Sequence, residues 1–178
     1  MLGVVRVSNV EFHDYSAKVK TKLTENAIAF LYEVGGELTA RAKRNSDMHR
    51  RTGQTSGSYE YKVDDGNLAV HIGSNFDNAL WEEFGTGKHA SNKDGSPSGK
   101  GRKGYWVYVD DGGASGKKST SPKNYTLEEV KKIVAIMRGE GLNAYYTNGK
   151  KARRPLWKAF ESMHGMIDKI AMERFGDM

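Results

Sequence analysis

A long run of apolar residues at helical spacing is the strongest constraint on the fold. Between Ser16 and about Arg44, apolar residues recur every three or four positions, and lysines and glutamates lie between them. This pattern predicts one long amphipathic helix. The pair Gly35-Gly36 inside it indicates either close packing against a neighbour or a kink. The apolar positions of the helix are Val19, Leu23, Ala27, Phe30, Leu31, Val34, Leu38 and Ala42.

Three short elements are predicted around this helix. Residues 4–12 favour a strand before it. Residues 58–63 and 68–72 alternate between apolar and polar side chains, and Asp65-Gly66 between them is typical of a tight turn. We expect an antiparallel hairpin there. Asp77 is then expected to cap a short helix over residues 78–84.

The second half of the chain predicts a strand–helix–strand unit and a last helix. Tyr105 to Val109 alternates like a strand, Thr126 and Glu129 form the sequence of a capping box, and residues 142–146 favour another strand. This order favours a right-handed crossover between two parallel strands. Pro155 is expected to begin a single C-terminal helix. Its apolar stripe is Leu156, Phe160, Met163, Ile167 and Ile170.

These elements together predict an α+β fold. We expect a small antiparallel sheet packed by the long N-terminal helix and the C-terminal helix, with the strand–helix–strand unit as an insertion. The whole of residues 1–178 is expected to form one domain. Within it, residues 88–146 are the insertion, with flexible basic loops rich in Gly, Ser and Lys.

Composition limits the classes of function that the chain can have. It has no cysteine, which excludes disulfides and thiolate metal sites. No apolar run reaches the roughly 20 residues of a membrane span, and the N-terminus alternates, unlike a signal peptide. Synthesis in a cytoplasm is therefore expected. The net charge is +6, and eight Lys and Arg against three Asp in residues 88–123 account for most of it.

The basic segment is open to two interpretations. Its cations lie near Tyr105, Trp106 and Tyr108, and cations with aromatic side chains suit single-stranded nucleic acid. Lysines in a linker also serve solubility alone. The candidate contacts to DNA or a partner in this segment are Lys100, Arg102, Lys103, Lys117 and Lys118.

Catalytic and metal-binding patterns are not found in the sequence. The adjacent residues Glu82 and Glu83 point in different directions on a helix, so we expect one solvated carboxylate and one in a contact, not an acid–base pair. The five histidines lack ligand spacing, and Gly85-Thr86-Gly87 lacks the Lys-Ser/Thr of a phosphate loop. We therefore expect no enzyme activity, no cofactor and no metal.

Three motifs in order carry a resemblance to a known family. Thr52-Gly53 precedes the predicted hairpin, "ALWEEFGTG" follows it, and "NGKKARRPLWKAFE" opens the C-terminal helix. The chain resembles, over about residues 15–86 and 147–175, the head–tail joining family of tailed bacteriophages, which comprises neck, tail-completion and minor tail components. It departs from the family pattern at Thr55, where Leu is usual, at Leu156-Trp157, and by the insertion. The residues that match the family signature are Thr52, Gly53, Trp81, Glu83, Phe84, Gly85 and Thr86.

The resemblance implies a function and a set of roles. It implies a virion structural protein of the head–tail connector, made in the bacterial host cytoplasm, that joins the DNA-filled head to the tail at the neck. It implies a homo-oligomeric ring of six or twelve copies, in contact with portal-side head connector proteins and with tail terminator or tail-tube proteins. No membrane is involved. Phe84 would be a core residue, and Gly85 would allow a sharp turn.

Trp81 would be either a core residue or an anchor between subunits. DNA passing through the ring would face basic side chains, with Lys150, Lys151, Arg153 and Arg154 as further candidates. The alternative is a basic nucleic-acid-binding protein of phage or prophage origin.

Overall fold

The computed structural model describes residues 15–48, 53–110, 118–119 and 123–176, with the backbone alone at 118–119. The predicted strand at residues 4–12 and the signature residue Thr52 lie outside these ranges. The helices are α1 (Ser16–Asp47), α2 (Gln54–Gly57), α3 (Asp77–Phe84), α4 (Leu127–Gly139), α5 (Pro155–Glu161) and α6 (His164–Phe175). The strands are β1 (Tyr59–Asp64), β2 (Ala69–Ser74), β3 (Trp106–Val109), β4 (Lys118–Ser119) and β5 (Ala144–Thr147). The α+β class predicted from the sequence is confirmed.

Helix α1 organises the main core. α5 and α6 run antiparallel along it: the Asn45 side chain donates to the Pro155 carbonyl at one end, and Arg174 bonds Glu33 nearer the other. The core contains apolar residues of α1, the hairpin, α3 and the last two helices, so it unites segments from both ends of the chain. Its buried members are Val34, Leu38, Ala42, Tyr59, Ala79, Ala159, Met163 and Ile170.

The hairpin β1–β2 packs on α1 at Gly35. A Cβ atom on Gly35 would lie 2.6 Å from Cδ2 of Tyr61 and 2.8 Å from Cγ2 of Val70. The helix continues through both glycines, so close packing, not a kink, explains Gly35. The predicted antiparallel hairpin is confirmed, with Tyr61 opposite Ile72. The Asp64 carboxylate accepts from the side chain of Asn67 and from the backbone amides of Asn67 and Gly66 in the turn, and these bonds lower its pKa.

Residues 105–147 have a small core of their own, formed by Val107, Val130, Val134 and Ala144. The capping box of α4 is confirmed: the Glu129 amide donates to Thr126 Oγ1, and the Thr126 amide donates to the Glu129 carboxylate. The Thr126 amide and the Thr126 hydroxyl both donate to the Glu129 carboxylate, and these two bonds lower its pKa. The second sheet has the strand order β4-β3-β5.

The expected parallel pairing in this unit is wrong, because β3 and β5 are antiparallel. Tyr105 and Tyr125 form an antiparallel bridge, with 2.9 Å between amide and carbonyl in both directions. The chain therefore returns to the start of β3 before α4 begins. Helix α4 then runs in the direction of β3, and a turn at Gly141 sends β5 back. The crossover rule does not apply when a loop has already reversed the chain.

The expected single C-terminal helix is two helices. Ser162 and Met163 separate α5 from α6, and the Ser162 hydroxyl donates to the Ala159 carbonyl. A serine side chain that bonds a nearby carbonyl competes with the helical ladder. Met163 and Ile170 are buried as predicted, whereas Phe160 is exposed.

The paired glycines of α1 give a matched test of its packing. Gly35→Ala should destabilise the protein by about 1–2 kcal/mol, because the methyl group overlaps the Tyr61 ring and the Val70 side chain. Gly36→Ala, whose Cβ has only the Tyr61 hydroxyl at 3.9 Å, should instead gain up to about 1 kcal/mol of helix propensity. Urea unfolding of both variants measures the difference. Equal stabilities would contradict this packing of the hairpin on α1.

Candidate functional site

Helix α3 contains Trp81, Glu83 and Phe84 of the signature, and it ends just before Gly85. Its first residue is Asp77, whereas Phe76 is the N-cap, so the expectation that Asp77 caps the helix is wrong. The Ser74 hydroxyl instead accepts from the Phe76 amide at 3.0 Å, just before the helix. At the other end Gly85 has φ +69°, a conformation that glycine adopts without strain. The chain therefore leaves α3 in a direction that brings Thr86 against residues 148–152.

Glu83 is buried and caps another helix. Its side chain is 8% exposed, and its two carboxylate oxygens accept from the amides of Leu156 at 2.9 Å and Trp157 at 3.1 Å. These amides belong to the first turn of α5, where backbone N–H groups have no partner within the helix. A negative charge at this end also interacts favourably with the helix dipole. Glu83 therefore fixes the start of α5 onto the end of α3.

Glu82 lies in a separate cluster of charges. Its carboxylate pairs with Lys150 and, at 3.3 Å, with Nη1 of Arg153. Its carbonyl also accepts from the amides of Arg153 and Arg154. Both glutamates are thus engaged within the chain, and the expectation that one of them is solvated is wrong.

The residues after Glu83 hold the same distant segment through the backbone. The Thr86 amide donates to the Lys150 carbonyl at 2.8 Å, and the Lys150 amide donates to the Thr86 hydroxyl at 3.0 Å. A Cβ atom on Gly85 would lie 2.7 Å from the Ala152 nitrogen. Any larger residue at position 85 would therefore push the two segments apart.

Tyr59 lies in the main core near these carboxylates. Burial raises the pKa of its hydroxyl far above the ordinary value, and the negative charges of Glu83 and Glu82 raise it further, whereas the Ser46 hydroxyl opposes the shift. Tyr59 is therefore neutral at physiological pH, and it contributes no titration in that range.

Two aromatic residues of the signature are placed differently from the expectation. Phe84 is half-buried and takes no part in either core cluster, so its assignment to the core is wrong. Trp81 is 49% exposed, so the core alternative is also wrong for Trp81. The buried positions of α3 are instead Ala79 and Glu83. The role of Trp81 as an anchor between subunits stays a prediction.

An apolar groove of 510 Å³ lies beside Glu83, between α1, the hairpin, α3 and α5. Leu80 and Phe160 on its walls are 58% and 48% exposed. Two cations, Lys93 and Arg154, also line the groove, and the Arg154 guanidinium lies 4.5 Å from the Trp157 ring centroid. The remaining apolar walls include Phe84, Leu156 and Trp157. The groove was not predicted from the sequence.

Gly53 is the residue of the Thr52-Gly53 motif that the structure describes, and it lies where a turn requires glycine. It has φ +80° at the N-terminus of α2, and its carbonyl accepts from the Gly57 amide. The Ser56 hydroxyl donates to Asp47 at the end of α1, at 2.6 Å. Gly53 thus turns the chain into α2, which leads to the hairpin.

The predicted basic contact residues lie in different surroundings. Arg102 lies over the Trp106 ring at 4.8 Å and bonds Asn124, with exposed Lys100 and Lys103 on either side of it in the chain. Lys150 and Arg153 pair with Glu82, Arg154 donates to the Lys93 carbonyl, and Lys151 is exposed. Lys118 belongs to β4, and Lys117 lies outside the described residues.

Residues 88–103, which the sequence predicts to be a flexible loop, contain several backbone hydrogen bonds. The Ser91 amide donates to the Phe84 carbonyl at 2.7 Å, and the Ser98 amide donates to Ala90. The Ser96 amide and hydroxyl donate to Asp94, and these bonds lower the pKa of that carboxylate. The flexibility of this loop in solution stays a prediction.

Two searches of the described residues give negative results. Across residues 15–48, 53–110 and 123–176, no group of three or more His, Cys, Asp or Glu side chains is arranged to hold a metal ion. Within the same ranges, no helix has the length and apolar content needed to span a membrane.

One feature of the sequence indicates the Glu83 contact, although it was not used in predicting that contact. Pro155 begins α5, but Arg154 before it is not a capping residue, and it makes no side-chain cap. A helix start without its own cap leaves first-turn amides open to an acceptor from elsewhere in the chain or to water. That acceptor lies 73 residues from Leu156, so local patterns did not identify it.

Comparison with known proteins gives no further identification. No protein-family model matches the chain, and neither curated proteins nor solved structures include a significant match to it. The interpretation of the site therefore depends on the geometry of its own residues.

The cap predicts that the two adjacent glutamates differ in their contribution to stability. Glu83→Gln should destabilise the protein by about 2 kcal/mol, because one α5 amide then faces an NH₂ group instead of an acceptor. Glu82→Gln should cost about 1 kcal/mol or less, since its amide oxygen still accepts from Lys150 and Arg153, both of which reach solvent. Chemical unfolding of the two variants tests this order. A larger loss for Glu82→Gln would contradict the role of Glu83 as the cap.

Proposed function

We propose that this chain is a head–tail joining protein of a tailed bacteriophage or prophage, a structural component of the neck. The observation that carries the proposal is the meeting of two motifs. "ALWEEFGTG" and "NGKKARRPLWKAFE" are far apart in the sequence, but Glu83, Gly85 and Thr86 contact residues 150–157 directly. A resemblance based on the motifs alone gains support when they form one joint in space.

The contacts of this joint favour a structural role for the signature. Glu83 is occupied by two amides and Glu82 by two cations, so both side chains contribute to holding the segments together. A catalytic carboxylate has to reach its substrate, whereas Glu83 is almost completely covered. We infer that the signature serves the fold and, through it, the shape of the surface around it.

The surface beside the joint suits association with other proteins. Leu80, Trp81, Trp157 and Phe160 are large, apolar and exposed, on two neighbouring helices. Interfaces are enriched in such aromatic residues, and few of them carry most of the binding energy. A ring of identical copies needs this kind of surface, because its contacts join different faces of neighbouring subunits.

In this proposal, six or twelve copies form a ring between the portal-side proteins and the tail terminator or tail tube, with DNA passing through the lumen. The copies are made in the host cytoplasm and remain in the virion. Isolated chains associate only weakly and briefly until a template on the filled head brings them together.

Deleting the gene tests the proposed function. The deletion strain should accumulate filled heads and separate tails, because neither half of the particle can attach to the other. Electron microscopy of induced lysates measures the fraction of joined particles. Supplying the wild-type gene from a plasmid should restore joining, which controls for effects on neighbouring genes.

The same strains provide the contradicting results. Normal joined virions from the deletion strain would exclude the joining function. Absence of the protein from purified wild-type particles, measured by mass spectrometry, would also exclude it.

Nucleic-acid binding is the second candidate function, favoured by the Arg102–Trp106 pair with Lys100 and Lys103 beside it. A DNA-binding protein whose main contacts lie here would show a steep fall of affinity with salt, with a slope of about −0.9 per phosphate contact. The joining proposal predicts a shallow slope that Lys100→Ala and Lys103→Ala hardly change. Fluorescence anisotropy with duplex DNA between low and moderate salt distinguishes the two.

A further inference from the structure

The groove beside Glu83 has the chemistry of a site for an apolar side chain next to an acid. Its walls are formed largely by Leu80, Phe84, Trp157 and Phe160, and Lys93 and Arg154 line it as well. The carboxylate of Glu83 is already bonded to the α5 amides. Within the described residues, Arg154 has a buried Nε without an acceptor. The groove therefore presents apolar surface and two cationic side chains together.

A second exposed apolar surface lies at the start of α1. Every residue from 15 to 25 is exposed, although Tyr15, Val19 and Leu23 are large and apolar and share one face of the helix. Farther along, Asn26 donates to the carbonyl of Arg174 at the end of α6. The first part of α1 thus projects past the end of α6, away from the main core.

The chain segment attached to this projection matches the groove in chemistry. Residues 10–14 are Val-Glu-Phe-His-Asp, in which Phe12 follows Glu11. Among the parts of the chain outside the described ranges, this is the only one that contains Phe, Tyr or Trp. Phe12 fits the apolar walls, and the carboxylate of Glu11 complements Lys93 and Arg154.

Distance excludes the groove of the same chain. Leu38, the α1 residue that lines the groove, lies 22 residues beyond Ser16, which is about 33 Å along a helix. Phe12 lies four residues before Ser16, so full extension carries it at most about 14 Å from the helix start. The groove within reach of Phe12 must therefore belong to another copy.

We propose that the groove binds residues 10–14 of a second copy of this chain, delivered by the projecting start of α1. The contact joins two different surfaces, so each copy can give one segment and receive another, which closes a ring or continues a chain of subunits. This inference rests on the proposed function in one respect, since it supplies the contact between neighbours of the neck ring.

Cysteine pairing tests the contact directly, because the natural chain has no cysteine. Phe12→Cys protein is mixed with a larger, tagged Leu80→Cys protein in a glutathione redox buffer, which traps even brief contacts. The disulfide-linked pair of the two chains should form in a yield at least roughly tenfold above the control, because disulfides require close approach of the two residues. The control partner is Ile136→Cys on α4, a position as exposed as Leu80 but far from the groove.

Charge provides the second measurement. Adding Glu11→Lys to the Phe12→Cys chain should lower the yield several-fold, since the new cation is repelled by Lys93 and Arg154. A Phe12–Leu80 yield equal to that of the Ile136 control would overturn the proposal, as would a yield unchanged by Glu11→Lys. These results concern the contact alone. If the cross-link fails but the deletion strain accumulates unjoined heads and tails, the proposed contact is refuted and the joining function is retained.

Discussion

The bond between the Glu83 carboxylate and the first turn of α5 is the interaction on which the rest of the structure depends. It fixes the end of α3 to the start of α5, and α5 in turn packs along α1 in the main core. The groove lies between these helices and the hairpin, so its shape follows from the same contact. Because the carboxylate is buried, losing one of its two partners leaves a polar group without water to replace it.

The neighbouring residues strengthen the same joint by different means. Glu82 adds ion pairs to Lys150 and Arg153, Thr86 adds two hydrogen bonds to Lys150, and Gly85 allows the backbones to approach closely. The two aromatic residues of this stretch, Trp81 and Phe84, do not fill the core. Trp81 is exposed, and Phe84 lines the groove. A joint that is closely hydrogen-bonded inside and apolar outside suits a protein whose proposed role is to hold other proteins together.

Local patterns in the sequence predicted the elements whose cause is local. Helix α1 follows from its apolar spacing, the hairpin from alternation around Asp65-Gly66, and α4 from the Thr126–Glu129 box. Sequence patterns did not predict the features that depend on contacts between distant residues. The antiparallel pairing of β3 and β5 depends on the return of the chain to Tyr105, and the burial of Glu83 depends on amides 73 residues away. The exposure of Trp81 and Phe160 follows from the position of these helices at the groove, which helical spacing alone does not give.

A cryo-electron microscopy reconstruction of the neck, in virions of the phage or prophage that we propose to encode the chain, tests the joining proposal most directly. We expect a closed ring of identical copies between head and tail into which this fold fits. Glu83 should be buried inside each subunit, and the groove should be covered by the adjacent copy. A neck reconstructed at side-chain resolution in which no subunit has this fold would contradict the account.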